Sequence, residues 1–254
     1  MTYCLGVKVN QGLLFASDSR TNAGVDSVAT FHKLFVFYQP GERLIVVMTA
    51  GNLAVTQEVI TRLQQGLKTD DLNRNLLLVQ TVFDATSMVG ALLRAVIDRD
   101  RAYVQAFGAD VSSSFIVGGQ IAGDEPRLFL VYPAGNFIES EPATPYFQLG
   151  ETKYGKPILE RVLTPQTNLT QVAKCALLSF DATIRANLSV APPIDVLIYE
   201  TDSLNIGRQQ EINDDDRYFA QLCSEWSDGI LGVFAEVPDP PWAVGDASPT
   251  AGRA

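Results

Sequence analysis

MTYCLGVKVNQGLLFASDSR, residues 1–20, holds two short β-rich runs, YCLGVKV (3–9) and LLFASD (13–18), on either side of Asn10-Gln11-Gly12. Glycine supplies the backbone angles of a tight hairpin, so the stretch predicts two antiparallel strands at the front of the fold. A hairpin turning at 10–12 sets positions 2–3 against 18–20, which brings Asp18 beside Thr2 on pairing alone. Thr2 carries a hydroxyl, and once Met1 is removed it also carries a free amine. Such an amine has a pKa of roughly 7.7–8.0 and is a recognised activator of a threonine nucleophile. By position alone, Thr2 also reads as a trivial small residue behind an initiator methionine.

Outward from the hairpin, TNAGVDSVAT (21–30) reads as a loop of small and polar residues. KLFVFY (33–38) and LIVVMT (44–49) read as two further strands joined through Gln39-Pro40-Gly41-Glu42, giving four consecutive strands. After Ala50-Gly51 the period changes, and Val55, Val59, Ile60, Leu63 and Leu67 fall at helical spacing. A second helix carries Met88, Leu92 and Val96 on its apolar face and ends in the solvated run Asp98-Arg99-Asp100-Arg101. Strands return at 113–120 and 127–132, with Pro133-Ala134-Gly135-Asn136 as a turn. A short helix near 156–163 and a long one near 169–188 follow, the second with Ala173, Leu177, Phe180, Ile184 and Leu188 as its core-facing stripe. DVLIYE (195–200) reads as a strand and 213–225 as a closing helix. Strands and helices in blocks do not make the regular alternation of a parallel sheet. They suit antiparallel sheets packed together and covered by helices, a layered α+β architecture. No repeat or linker interrupts the order, so one domain over 2–235 is expected, with a flexible tail at 236–254 rich in Pro, Gly and Ala.

A chain of 254 residues, 46% hydrophobic and 19% charged, suits a globular protein with a sizeable core. No run approaches the roughly 18 uninterrupted apolar residues of a membrane span, and the first residues lack the regions of a signal peptide. A net charge of −10 without any basic run argues against a nucleic-acid partner. Cys4, Cys175 and Cys223 are widely spaced, and they point to no disulfide framework or metal site and to a reducing, cytoplasmic setting. The single histidine narrows the chemistry further. A Ser-His-Asp or Cys-His mechanism would have to use His32, which sits at a strand start and reads most simply as a half-exposed strand residue.

If the strand opened by Lys33 joins the sheet of the first hairpin, Lys33 approaches the same end as Thr2 and Asp18. The Thr2 hydroxyl would attack a carbonyl carbon, and its own amine, directly or through water, would shuttle the proton. Lys33 would favour the alkoxide, and Asp18 would hold Lys33 ionised and oriented. The backbone N–H of Gly51, where a strand runs into a helix, is placed as an oxyanion donor. Spacing alone leaves Asp18 and Lys33 readable as a surface ion pair worth about 0–1 kcal/mol, and Gly51 as a turn glycine.

LLFASDSRTNAG, the strand-opening HKLF and MTAGNLA together resemble the proteasome β-subunit family of N-terminal threonine hydrolases, with the likeness covering residues 2–210. QLGETKYGKPILERV (148–162) and RANLSVAPPIDVLIYE (185–200) resemble its bacterial branch, the Anbu (ancestral β subunit) proteins. The resemblance implies a four-layer αββα sandwich of antiparallel sheets, the N-terminal nucleophile hydrolase fold. It implies Thr2 as nucleophile in amide hydrolysis through an acyl-enzyme, with Asp18 and Lys33 catalytic, Gly51 in the oxyanion site and Arg20 in support. Peptide or protein is the implied substrate, and neither metal nor cofactor is required. Self-assembly into a ring or an open helical ring is implied, with maturation by loss of Met1 alone. Thr21, Phe31, Phe35, Thr49 and Leu53 would line the substrate pocket, whose phenylalanines and leucine suggest an apolar side chain.

The chain departs from that family at two supports. Gly150-Glu151-Thr152 stands where the family has Gly-Ser-Gly. Glu151 would accept a bond from the terminal ammonium but would raise the amine's pKa, making it a poorer base. The family's later aspartate is missing near 185–189, with Asn187 its nearest substitute and Ser189 standing for the supporting serine. These departures leave two rival expectations: a catalytically weak or inactive scaffold or peptide-binding assembly, and an amidohydrolase acting on small amides.

Overall fold

The strands Tyr3–Val9 (β1) and Gly12–Asp18 (β2) form the expected hairpin, with Cys4 opposite Ser17 and Val9 opposite Gly12. The computed structural model describes residues 2–22 and 28–243. After the hairpin come Arg20–Asn22 (β3), Val28–Thr30 (β4), Leu34–Gln39 (β5) and Arg43–Gly51 (β6). Helices Leu53–Gly66 (α1) and Val82–Ala106 (α2) follow, then strands Ser113–Ile121 (β7), Arg127–Val131 (β8), Phe137–Glu139 (β9) and Tyr146–Gly150 (β10). Helices Thr152–Val162 (α3) and Leu169–Ala186 (α4), strands Ile194–Glu200 (β11) and Arg208–Ile212 (β12), and helix Arg217–Glu236 (α5) complete the order.

Two antiparallel five-stranded sheets result, in the orders β10-β1-β2-β11-β12 and β5-β6-β7-β8-β9. Their facing sides bury Cys4, Leu13, Phe15, Leu197 and Tyr199 from the first against Leu44, Val46, Met48, Ile116 and Leu128 from the second. Burying each such large side chain contributes about 1.5–3 kcal/mol. On the outer face of the second sheet, Ile45, Val47, Phe115 and Val117 meet Val59 and Leu63 of α1 and Val89, Leu93 and Val96 of α2. α4 covers β1 and β2, and α3 packs on α4. The layers therefore run helix, sheet, sheet, helix, the expected α+β sandwich.

Local chemistry explains where the helices start. Asn52 caps α1 by accepting from Ala54 N–H and Val55 N–H. Thr81 and Asp84 form a reciprocal capping box that opens α2.

Several expectations are corrected. The segment expected as a loop at 21–30 carries the short β3–β4 hairpin, with Arg20 opposite Thr30. Lys33 does not join the sheet of the first hairpin, because β5 is the edge strand of the second sheet. In α4 the buried residues are Val172, Cys175, Ala176, Ser179, Phe180 and Thr183 among others, while Leu188 is 89% exposed. Of the expected stripe, Leu177 and Phe180 are buried, Ala173 and Ile184 are half-buried, and Leu188 lies beyond the end of α4. The closing helix is α5 at Arg217–Glu236, later and longer than expected. Residues through Asp216 form one unit and those from Arg217 another. Taken by itself, α5 leaves Ile230, Leu231, Val233 and Phe234 exposed. Of the tail expected at 236–254, residues 244–254 lie outside the described residues. No helix among the described residues is long and apolar enough to cross a membrane.

Candidate active site

The β1–β2 register sets Tyr3 one step beyond the Cys4–Ser17 pair, directly across from Asp18. Tyr3 N–H donates to Asp18 Oδ1 at 2.8 Å, so the carboxylate is fixed against the peptide that follows Thr2. Lys33 reaches the same oxygen at 3.0 Å from the mouth of the second sheet. Its ammonium also donates to Asp18 O (3.0 Å) and Arg20 O (2.6 Å), so three acceptors hold the charge. The Asp18 side chain is fully buried and that of Lys33 is 7% exposed. This is no surface ion pair. Burial is the largest influence on the Asp18 carboxyl and raises it from 3.8 to about 6, against the lowering effect of Lys33 and the Tyr3 N–H. Asp18 Oδ2 is buried with no hydrogen-bond partner among the described residues.

Thr2 is half-buried, and its carbonyl accepts from Glu151 N–H at 2.9 Å. Gly150 makes that approach possible: its φ is +78°, and a Cβ there would sit 1.8 Å from Thr2 O. The neighbouring Tyr3 is locked from behind. Its hydroxyl pairs with Ser179 Oγ at 2.5 Å and accepts from Gln148 Nε2 at 2.7 Å, and its ring lies 4.6 Å from that of Phe180. Gly150 was noted from the sequence only as part of Gly150-Glu151-Thr152, not for its backbone angle, and the bracing role of Tyr3 was not picked out.

Gly51 ends β6 with φ +115°, and a Cβ would come within 2.3 Å of Ser112 O. Thr49 N–H donates to Lys33 O at 3.0 Å. Strand alternation turns Gly51 N–H to that same side, beyond the start of β5. In the first turn of α1, Ala54 N–H and Val55 N–H donate to the Asn52 side chain. The residue expected from the sequence as the oxyanion donor is Gly51 itself, and its N–H is turned to the Lys33 side of the strand.

A cavity of about 350 Å³ has Lys33 in its wall and is lined by Phe31, Phe35, Thr49 and Leu53, four of the five expected pocket residues. Thr21 is the fifth, and its side chain lies outside the described residues. The lining also includes Gln57, Thr61 and Gln64 of α1, which sequence reasoning missed. The pocket thus combines apolar side chains with His32, Lys33 and the neutral polar groups of α1. Another cleft, of about 430 Å³, lies beside Lys8 and Asn10 at the far end of β1 from Thr2.

The supporting residues behave differently from one another. Arg20 serves Lys33 through its backbone carbonyl, while its guanidinium contacts Leu188 O at 3.5 Å. Asn187 Oδ1 accepts from Ser189 N–H at 2.9 Å in the turn after α4. Among the described residues, neither Asn187 nor Ser189 bonds to Thr2, Asp18 or Lys33. Glu151 is the N-cap of α3 and makes no side-chain cap bond. Burial pushes the Cys4 thiol well above its ordinary range, with Asp18 adding to the effect, so Cys4 is no nucleophile. No group of three or more His, Cys, Asp or Glu able to hold a metal ion occurs among the described residues.

Comparison with known proteins bears on this arrangement. A family model described as proteasome subunit matches residues 2–198. Among solved structures, the helical assembly of the Anbu complex from Pseudomonas aeruginosa is 51% identical, with a TM-score of 0.91 and coverage of 96% of this chain and 100% of that one. Anbu (ancestral beta-subunit) from Yersinia bercovieri is 47% identical, with a TM-score of 0.87 and coverage of 94% and 98%. Anbu from Hyphomicrobium sp. strain MC1 is 44% identical, with a TM-score of 0.85 and coverage of 94% and 99%. No match occurs among curated proteins.

Proposed function

The chain belongs to the proteasome subunit family, and from that premise we propose that it is a self-assembling N-terminal threonine peptidase activated by removal of Met1. The observation that carries the reading is the buried Asp18–Lys33 pair, bonded to the peptide N–H that follows Thr2. Loss of Met1 gives Thr2 a free amine with a pKa of roughly 7.7–8.0, which takes the proton from the Thr2 hydroxyl directly or through water. The oxygen attacks a peptide carbonyl held with its side chain in the pocket of Phe31, Phe35 and Leu53. Lys33 stabilises the developing alkoxide, and the Gly51 N–H receives the carbonyl oxygen as it becomes an oxyanion. The leaving amine takes the proton, and water then releases the acyl group from Thr2. No metal or cofactor enters these steps. A relative forms a helical assembly, and the same kind of homo-oligomer, in the cytoplasm, is proposed for this protein.

A second reading has its own support. The turn holding Asn187 and Ser189 is closed on itself, and Glu151, whose backbone N–H bonds the Thr2 carbonyl, stands where the family carries a neutral serine. Both favour a weakly active or inactive peptide-binding assembly. A panel of short peptides and small amides decides among the readings, run with the mature protein and with Thr2→Ala. The peptidase reading expects cleavage of peptides alone, abolished in Thr2→Ala. Turnover of small amides only, or of nothing, would replace it.

A further inference from the structure

Between Asp18 and Lys33 the chain leaves the two large sheets as the β3–β4 excursion and then returns, so the two charged residues stand at its neck. Backbone bonds close part of that neck: Phe31 N–H donates to Ser19 O at 2.8 Å, and Thr49 N–H to Lys33 O at 3.0 Å. A third element closes it through side chains. Asp195 lies on β11 opposite Ser17, so the sheet itself fixes its backbone. Its Oδ2 accepts the Ser19 hydroxyl at 2.9 Å and stands 3.2 Å from His32 Nδ1. Ser19 is the chain neighbour of Asp18, and His32 is the chain neighbour of Lys33.

We propose that Asp195 is a positioning residue, which acts through Ser19 and His32 to hold Asp18 and Lys33 together beside Thr2. Ser19 is fully buried, so its hydroxyl needs an internal acceptor, and Asp195 supplies one. Ser19 N–H is tied as well, to Pro193 O at 2.8 Å, which leaves that arm of the neck rigid. The His32 side chain is 66% exposed, and among the described residues its ring is partnered by Asp195. One carboxylate oxygen therefore anchors on the rigid arm and steadies the exposed one. Lys33 follows His32 directly, so release of His32 frees the backbone from which the ammonium must reach Asp18. The single histidine, which read as an ordinary strand residue, becomes part of the support of the catalytic pair.

The catalytic consequence rests on the peptidase reading, but the closure of the neck does not. The test uses the full-length mature protein and a peptidyl epoxyketone, with labelling of Thr2 followed by intact mass. Asp195→Ala is expected to lower kinact about tenfold and leave KI within about twofold, the signature of a misplaced reacting group and not of lost binding; His32→Ala, at a residue that also lines the pocket, is expected to lower kinact to a similar extent. His32→Asn keeps a donor near the Nδ1 position and is expected to restore kinact. Wild-type kinact in Asp195→Ala, or a rise in KI alone, would overturn the proposal. If wild type itself never labels, the peptidase reading has failed, and amide exchange at Phe31 decides the positioning claim separately. Exchange about tenfold faster in Asp195→Ala supports a neck held by Asp195, since a lost closure shows as local opening; unchanged exchange refutes it.

Discussion

Asp18 must be an anion to hold Lys33, in a place where burial works against the charge. Its carboxyl is raised from 3.8 to about 6 chiefly by desolvation, with Lys33 and the Tyr3 N–H only partly offsetting that. A folded pKa above the unfolded one means that the folded state binds the proton more tightly. Stability contributed by this group is therefore present below about pH 4 and lost as pH rises through about 6. At roughly 1.4 kcal/mol per pKa unit, the loss is about 3 kcal/mol. Urea unfolding is expected to show the stability of Asp18→Asn relative to wild type rising by about that amount between acid and neutral pH. Reactivity carries the opposite sign, because only the ionised carboxylate pairs with Lys33. Labelling of Thr2 is expected to fall as pH drops through about 6, a step distinct from titration of the amine at roughly 7.7–8.0. A rate that follows the amine alone would mean that Asp18 is not needed as an anion.

At the scale of elements, Tyr3 shows how the site is braced. Its hydroxyl joins β1 to Gln148 of β10 and to Ser179 of α4, and α3 comes so close that a Cβ on Gly155 would meet Ser179 Oγ at 2.0 Å. Tyr3→Phe keeps the ring on Phe180 but strands the buried Ser179 hydroxyl and frees the half-buried Gln148 amide, so a loss of about 1–3 kcal/mol is expected. Thermal unfolding measures it, and an unchanged midpoint would show that Ser179 and Gln148 find other partners. The hairpin that decided the fold was legible because alternation and a glycine turn are local signals, and Asp18 followed from counting across it. The sheet to which β5 belongs was not legible, since no local pattern states which distant strand is a neighbour. β3, β4 and β9, three residues each, are too short to show alternation, and the polar edge strand RQQEI of β12 has none. The Ser19–Asp195–His32 contact was hidden for the same reason, because residues more than a hundred and sixty positions apart meet only through the β2–β11 ladder.

At the scale of the whole molecule, the layers that carry the site match relatives of known structure over nearly the full chain, including one solved as a helical assembly. The mature protein is expected to form an open or closed homo-oligomer, and native mass spectrometry with electron microscopy would show it. A monomer at micromolar concentration would remove assembly from the proposed function. The central claim is that Thr2 becomes a nucleophile when Met1 leaves, and the intact mass of the purified protein before and after a peptidyl epoxyketone tests it most directly. The account predicts a chain lacking Met1 that gains a single adduct, mapped to Thr2 and absent in Lys33→Ala. Retained Met1, or a mature Thr2 left unmodified at high reagent, would contradict it.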